Sequence, residues 1–208
     1  MNLLKKTAAG IMALVLLLGV SACSSKRVSF ENIRDVAEEC GLEETGDIGR
    51  IAKDIYGKQD YNELVYCVTD KPAEAQQIYD EIYNKSNTYP KASVKAAAVM
   101  YSNVINGEGK AISEYAFVFT FNSSRKAEEF YHKTEEGFKI LDREEGKEKY
   151  EDFMISGHND QMTTLYGEYL KGKCVVVLSG TGYKKNDCTL VDRFCREMDI
   201  KSPETLIQ

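Results

Sequence analysis

Ser156-Gly157-His158-Asn159-Asp160 places a hydroxyl, an imidazole and a carboxylate within five residues, the types from which a nucleophile, a base and an orienting acid are built. Triads of that kind converge in space from distant segments, whereas side chains this close in a tight turn point apart, so the stretch reads as a polar β-turn. His132 sits among Glu128, Glu129 and Lys133 and reads as an exposed helix residue. Ser179-Gly180-Thr181-Gly182-Tyr183-Lys184-Lys185 falls between a predicted strand and a predicted helix, where glycine-freed amides can cradle a phosphate. It has neither the G-x-x-x-x-G-K-[ST] nor the G-x-G-x-x-G spacing, so it is expected to be a flexible connection. Glu128-Glu129, Glu135-Glu136 and Glu144-Glu145 are adjacent pairs, whose members diverge around a helix instead of sharing a proton. No residue earns a catalytic assignment.

Six cysteines and thirteen tyrosines are the other chemical resources, and there is no tryptophan. The chain has no C-x-x-C and only two histidines, so no metal set is expected. Cys188 and Cys195 lie seven apart on a predicted helix, about 10 Å along its axis, too far for a bond that needs less than about 7 Å between Cα atoms. With Cys40, Cys67 and Cys174 they read as small buried apolar residues carrying at most one disulfide. Tyrosine combines contact area with a polar tip, which suits recognition surfaces. Tyr66, Tyr79, Tyr83 and Tyr131 fall on core stripes, which leaves Tyr89, Tyr101, Tyr166, Tyr169 and Tyr183 as surface contributors. Of these, Tyr166, Tyr169 and Tyr183 are the candidates for a binding surface.

The elements that must position these groups follow from periodicity. Ser29 precedes a helical stripe of Phe30, Ile33, Ala37 and Cys40 that Gly41 ends, and a second short helix is expected over 48–56. Leu64, Tyr66 and Val68 alternate as a strand, then Asp70-Lys71-Pro72 opens a helix with Ala75, Ile78, Tyr79, Ile82 and Tyr83 inward. Residues 93–104 read as a strand, turned by Asn106-Gly107-Glu108-Gly109 into 112–121, where Tyr115, Phe117, Phe119 and Phe121 alternate with Ala116, Val118 and Thr120. Asn122-Ser123 caps a helix carrying Ala127, Phe130, Tyr131, Thr134 and Phe138. At an offset of 52, Asp70, Ala75, Ile78 and Tyr79 fall on Asn122, Ala127, Phe130 and Tyr131, which suggests a repeated strand-helix unit. Residues 142–151 read as a solvated charged segment, followed by strands at 152–156, 161–169 and 173–179 and a last helix with Val191, Phe194, Cys195 and Met198 inward. The expected class is α+β, with a ferredoxin-like β-α-β-β-α-β core over about 61–157, N-terminal helices and a C-terminal β-β-α extension. Its sheet is expected to be mainly antiparallel, with the helices on one face.

Where the protein lives is written at its N-terminus. Lys5 and Lys6 precede an uncharged run from Ala8 to Ala22 whose apolar centre is Ile11-Met12-Ala13-Leu14-Val15-Leu16-Leu17-Leu18. This has the charged, apolar and small-residue regions of a secretory signal, and the run is shorter than the ~20 residues needed to span hydrocarbon. Val20-Ser21-Ala22-Cys23 resembles the lipobox of bacterial lipoproteins. The resemblance implies cleavage before Cys23, a diacylglycerol on its sulfur, and a protein held at the cell membrane facing outside the cytoplasm. The expected organisation is a removed signal peptide (1–22), a lipidated tether (23–28) and one α+β globular domain (29–208). The 27 basic and 33 acidic residues leave a formal charge of −6, and cleavage removes two lysines and no acid. An acidic surface of this kind excludes nucleic acid as a partner. The membrane, through Cys23, and a protein or small molecule in the cell envelope are the expected partners. A non-catalytic binding or docking module without a cofactor is the leading expectation. An envelope hydrolase or transferase using His158, and a small-molecule capture protein, are its rivals.

Overall fold

The computed structural model describes residues 28–47, 51, 62–84, 89–140, 149–151, 154–158 and 161–207. Helix α1, Phe30–Glu39, buries Ile33, Val36 and Ala37 on one face. It ends at Gly41, whose φ of 76° lets the Leu42 amide reach back to the carbonyl oxygen of Ala37 at 2.9 Å. Ser29 occupies the N-cap position, yet it caps through its main-chain oxygen and not its hydroxyl. After the two-residue strand β1 (Glu43–Glu44) come β2 (Glu63–Thr69) and helix α2 (Pro72–Tyr79), which continues as a π-helical turn over Asp80–Asn84. Strands β3 (Val94–Ile105) and β4 (Ala111–Phe121) follow, then helix α3 (Ser124–Ile140). The second half contains β5 (Lys149–Glu151), β6 (Met154–His158), β7 (Thr163–Lys171), β8 (Cys174–Gly182), helix α4 (Thr189–Glu197) and a 3-10 turn, Pro203–Leu206.

These strands form one sheet in the order β1-β2-β3-β4-β8-β7-β6-β5, antiparallel throughout except for the β1–β2 pair. The class is α+β, as the periodicity implied. Residues 93–104 are a strand despite their alanines, pairing with β4 from Val94↔Phe121 to Ile105↔Ala111. The spatial order differs from a ferredoxin-like unit. A split β-α-β needs two parallel strands with another between them, whereas β2 and β3 are antiparallel neighbours over seven residue pairs. The strand that would have closed the unit, β6, is separated from β2 by four others. Two boundaries also move: Lys149–Glu151, expected in the solvated segment, pairs with β6, and β8 runs on to Gly182. The helix expected over 48–56 lies outside the described residues, apart from buried Ile51.

Helices pack on both faces of the sheet, where one face was expected. The cause is in the strands: Ala96, Ala97, Ala98, Val99, Met100 and Tyr101 are all buried in succession, as happens only when both sides are covered. On one face α1 and α4 bury Ile33, Leu190, Val191 and Phe194 against Met100, Val118, Val176 and Leu178. On the other, α2 and α3 bury Ala75, Ile78, Tyr79 and Phe130 against Val99, Phe117, Phe119 and Val175. Tyr79 is the hub of this second core, edge-on to Phe119 at 5.6 Å and to Phe130 at 5.7 Å, with its hydroxyl donating to the Pro90 carbonyl at 2.9 Å.

Candidate ligand-binding site

Three neighbouring strands change character along that second face. From the helix-covered end, β4 presents Phe121, Phe119 and Phe117, then Tyr115, Ser113 and Ala111; β8 presents Val175 and Val177, then Ser179 and Thr181; β3 presents Ala97 and Val99, then Tyr101. Registry makes this a front across the sheet, because Tyr101, Tyr115, Ser179 and Tyr166 stand opposite one another in a single row over β3, β4, β8 and β7. The apolar cluster reaches Tyr101 and has Tyr115 at its margin. Beyond this row, Ser113, Thr181 and Ala111, together with Ser179 and the three phenols Tyr101, Tyr115 and Tyr183, line a cavity of about 320 Å³. That volume is at the lower end of small-molecule sites. Tyr115 stacks on Phe117 with centroids 4.5 Å apart, so its ring is held flat against the core. Burial raises the Tyr115 phenol, with the Ser179 hydroxyl pulling the other way.

The rim is built from two turns. In the β3–β4 turn the Asn106 side-chain oxygen accepts from the amides of Glu108 and Lys110, and Gly109 supplies a φ of 77°. After β8, the Asp187 carboxylate accepts from the amides of Tyr183 and Lys184 at 2.7 and 2.8 Å. A Cβ on Gly182 would come within 2.6 Å of the Asp187 Cβ, so glycine is what allows this closure. The turn sets the Tyr183 ring beneath the Lys110 ammonium, 4.9 Å from its centroid. Glu108 pairs with Lys184 and, at 3.6 Å, with Lys110. The Lys184 contact lowers the Glu108 carboxyl below the usual range. The rim charges face each other, and the lining carries none among the described residues.

Two of the buried carboxyls, Glu168 and Glu114, sit on opposite faces of the sheet. Glu168 stands opposite Val177, one step from Tyr166 toward the helices. Burial pushes its carboxyl up to about 9; the neighbouring Thr134 hydroxyl works against that shift and Glu135 adds to it. On the opposite face Glu114 accepts from the Val191 amide at 2.8 Å, so a strand side chain caps α4 where Cys188, at the N-cap position, provides no side-chain bond. Burial pushes the Glu114 carboxyl up to about 7, the Val191 and Leu190 amides opposing.

Comparison with known proteins adds little to this geometry. No protein-family model matches the chain, and no curated protein matches it. A solved structure, the extracellular domain of PknH from Mycobacterium tuberculosis, is similar with a TM-score of 0.41 and 11% sequence identity, over 77% of this chain and 91% of that one. A likeness that faint assigns neither fold family nor role.

The residues singled out from sequence fall in three places. Tyr183 lines the cavity, as does Tyr101, one of the tyrosines left outside the core stripes. Tyr166 stands in the row behind the cavity but is only 7% exposed, its phenol held well above the usual range by burial, so it presents no outer surface. Tyr169 is on the opposite face, where its hydroxyl donates to the Lys201 carbonyl and its ring packs against the first core. The C-terminal segment packs on this side of the late strands, with Pro203 beside Gly167. His158 ends β6 opposite Thr163 and so belongs to a strand, with Asn159 and Asp160 outside the described residues. His132 lies on α3 with its ring 3.0 Å from Glu135 and largely exposed. The glycine stretch is mostly the end of β8, and the amides of Tyr183 and Lys184 beyond it are taken by Asp187. Cys40, Cys67, Cys174, Cys188 and Cys195 are all free thiols. Among the described residues no three His, Cys, Asp or Glu side chains form a group that could hold a metal ion, and no helix is long and apolar enough to cross a membrane. Cys23 lies outside the described residues. Ser113, Tyr115, Ser179 and Thr181 were missed as a site; the signal for them was the fall in hydrophobicity along one face of β4 and β8.

Proposed function

We propose that this protein is a lipid-anchored binding protein facing outside the cytoplasm, and that its ligand site is the hydroxyl-lined cavity on β3, β4 and β8. The observation that carries the reading is the switch from phenylalanine and valine to serine, threonine and tyrosine along one sheet face, at the point where the face passes from buried to half-buried and the chain forms a cavity. Half-buried hydroxyls beside fixed phenol rings form a concave surface that offers a small molecule both hydrogen bonds and apolar contact. Binding is favoured over catalysis because the described lining offers hydroxyls and phenols and no imidazole, thiol or carboxylate to move a proton at neutral pH. The address rests on Val20-Ser21-Ala22-Cys23, which resembles a lipobox.

Two measurements test the two halves. Intact-mass analysis of the membrane fraction is expected to show a chain beginning at Cys23 and carrying lipid, with Cys23→Ala abolishing lipid labelling. An unmodified N-terminus would overturn the anchor. For the site, a small-molecule fragment screen followed through ring signals of labelled tyrosines is expected to move Tyr101, Tyr115 and Tyr183 together. Fragments that shift other tyrosines while leaving these three in place would overturn the cavity as the site.

A further inference from the structure

The lining specifies a ligand class. We infer that the cavity takes a neutral, hydroxyl-rich ligand, a saccharide unit, with its ring laid against the phenols and its hydroxyls paired to Ser113, Ser179 and Thr181. This inference rests on reading the cavity as a binding site and goes one step further, to what fills it.

Three properties of the site select the class. First, its polar groups are hydroxyls, each with one donor and two acceptor positions and a freely rotating hydrogen. They match a partner whose own groups are hydroxyls that donate and accept without a fixed pattern. A nucleobase edge has a fixed order of donors and acceptors, matched best by the bidentate side chains of Asn, Gln and Arg; the described lining holds none. Second, the site is electrically neutral. Lys110 and Lys184, on the two turns of the rim, are both turned to Glu108, while Lys110 also lies over the ring of Tyr183. A phosphate or carboxylate requires a charge or a row of amides at its seat. The amides of Tyr183 and Lys184 already serve the chain's own Asp187. Third, the walls are amphipathic in the way a sugar is. Tyr115 is fixed by stacking on Phe117 and Tyr183 is fixed under Lys110, so each phenol offers an apolar ring face beside a polar tip. A pyranose has C–H groups on its faces and hydroxyls around its edge.

The experiment uses the full lipidated protein in detergent micelles with carbon-13 in its tyrosine rings. It is titrated separately with maltotriose, the trimer of N-acetylglucosamine, adenosine and inorganic phosphate. At least one of the two saccharides is expected to shift Tyr101, Tyr115 and Tyr183 in a saturable manner while Tyr79 and Tyr169, packed elsewhere, stay in place. Ser113→Phe, which places a ring in the cavity, is expected to weaken that binding at least tenfold; Ser123→Ala, at the start of α3 and outside the cavity lining, is expected to leave it unchanged. An unmoved Tyr79 signal in each variant shows that the fold is intact. Saturable shifts of the same three rings by adenosine or phosphate alone would overturn the saccharide class and leave the cavity as a binding site. Failure of all four probes to move these rings would overturn both.

Discussion

Glu168 shows most directly what one side chain costs here. The residue is 1% exposed on the sheet face that carries Phe117, and burial pushes its carboxyl up to about 9, so it is neutral at pH 7. In the unfolded chain the same group ionises near pH 4.5. Between those two values the native state holds a proton that the unfolded state has released, so stability falls as pH rises through that window and levels off above it. Glu168→Gln is uncharged at every pH. It is expected to be more stable than the parent at pH 8, to approach it near pH 4, and to flatten the slope between, as measured by urea denaturation at several pH values. An unchanged slope would mean that Glu168 is solvated. Glu114 contributes in the same direction over a narrower window, up to about 7. Neither acid stands out in the sequence: Glu114 sits in an alternating strand and Glu168 in a tyrosine-rich one, and a lone Glu between apolar neighbours looks like a strand's solvent-facing residue. What reverses that reading is coverage of both sheet faces, which is a property of the assembled layers.

At the scale of elements, almost every strand and helix was legible and their neighbours were not. Alternation in Tyr115–Phe121 and the Pro72 start of α2 are local signals, and the structure follows them. The correspondence at an offset of 52 also has a physical counterpart. With β3 antiparallel to both β2 and β4, those two strands run parallel, and α2 and α3 lie on the same face with Ala75 and Ala127, then Ile78 and Phe130, all fully buried. The likeness ends at the helix, since β2 neighbours the strand that follows its helix whereas β4 lies far across the sheet from β5. Pairing partners depend on registers between segments distant in sequence, and a one-dimensional pattern does not contain them. The cavity was illegible for the same reason: Tyr101, Tyr115 and Ser179 become one row only when β3, β4 and β8 are neighbours. If α3 is held by its buried stripe, Phe130→Ala should cost about 3–5 kcal/mol, the usual loss for a buried ring. Arg125→Ala, on the exposed side of the same helix, should stay within about 0.5 kcal/mol. Chemical denaturation distinguishes them, and equal losses would mean that α3 is not packed by that face.

At the scale of the whole molecule, the free thiols report on how the layers hold together. Cys174 on β8 and Cys188 and Cys195 beside and on α4 belong to one apolar cluster that joins α1, α4 and the sheet. Burial pushes Cys174 up to about 11 and Cys195 up to about 12, and it raises Cys188 too. A thiol reagent attacks the thiolate, so these groups are protected twice, by enclosure and by the scarcity of the reactive form. Gly180 contributes to the enclosure, because a Cβ there would meet the Cys188 sulfur at 2.7 Å. Cys40, at the end of α1, is only half-buried. Under native conditions, iodoacetamide is therefore expected to label Cys40 first. Cys174, Cys188 and Cys195 should become reactive together as denaturant rises, because α4 cannot leave the sheet without opening the cluster they share. Mass spectrometry of the alkylated peptides follows each site separately. Labelling of Cys188 and Cys195 at a lower denaturant concentration than Cys174 would show that α4 detaches as a unit before the rest of that core opens.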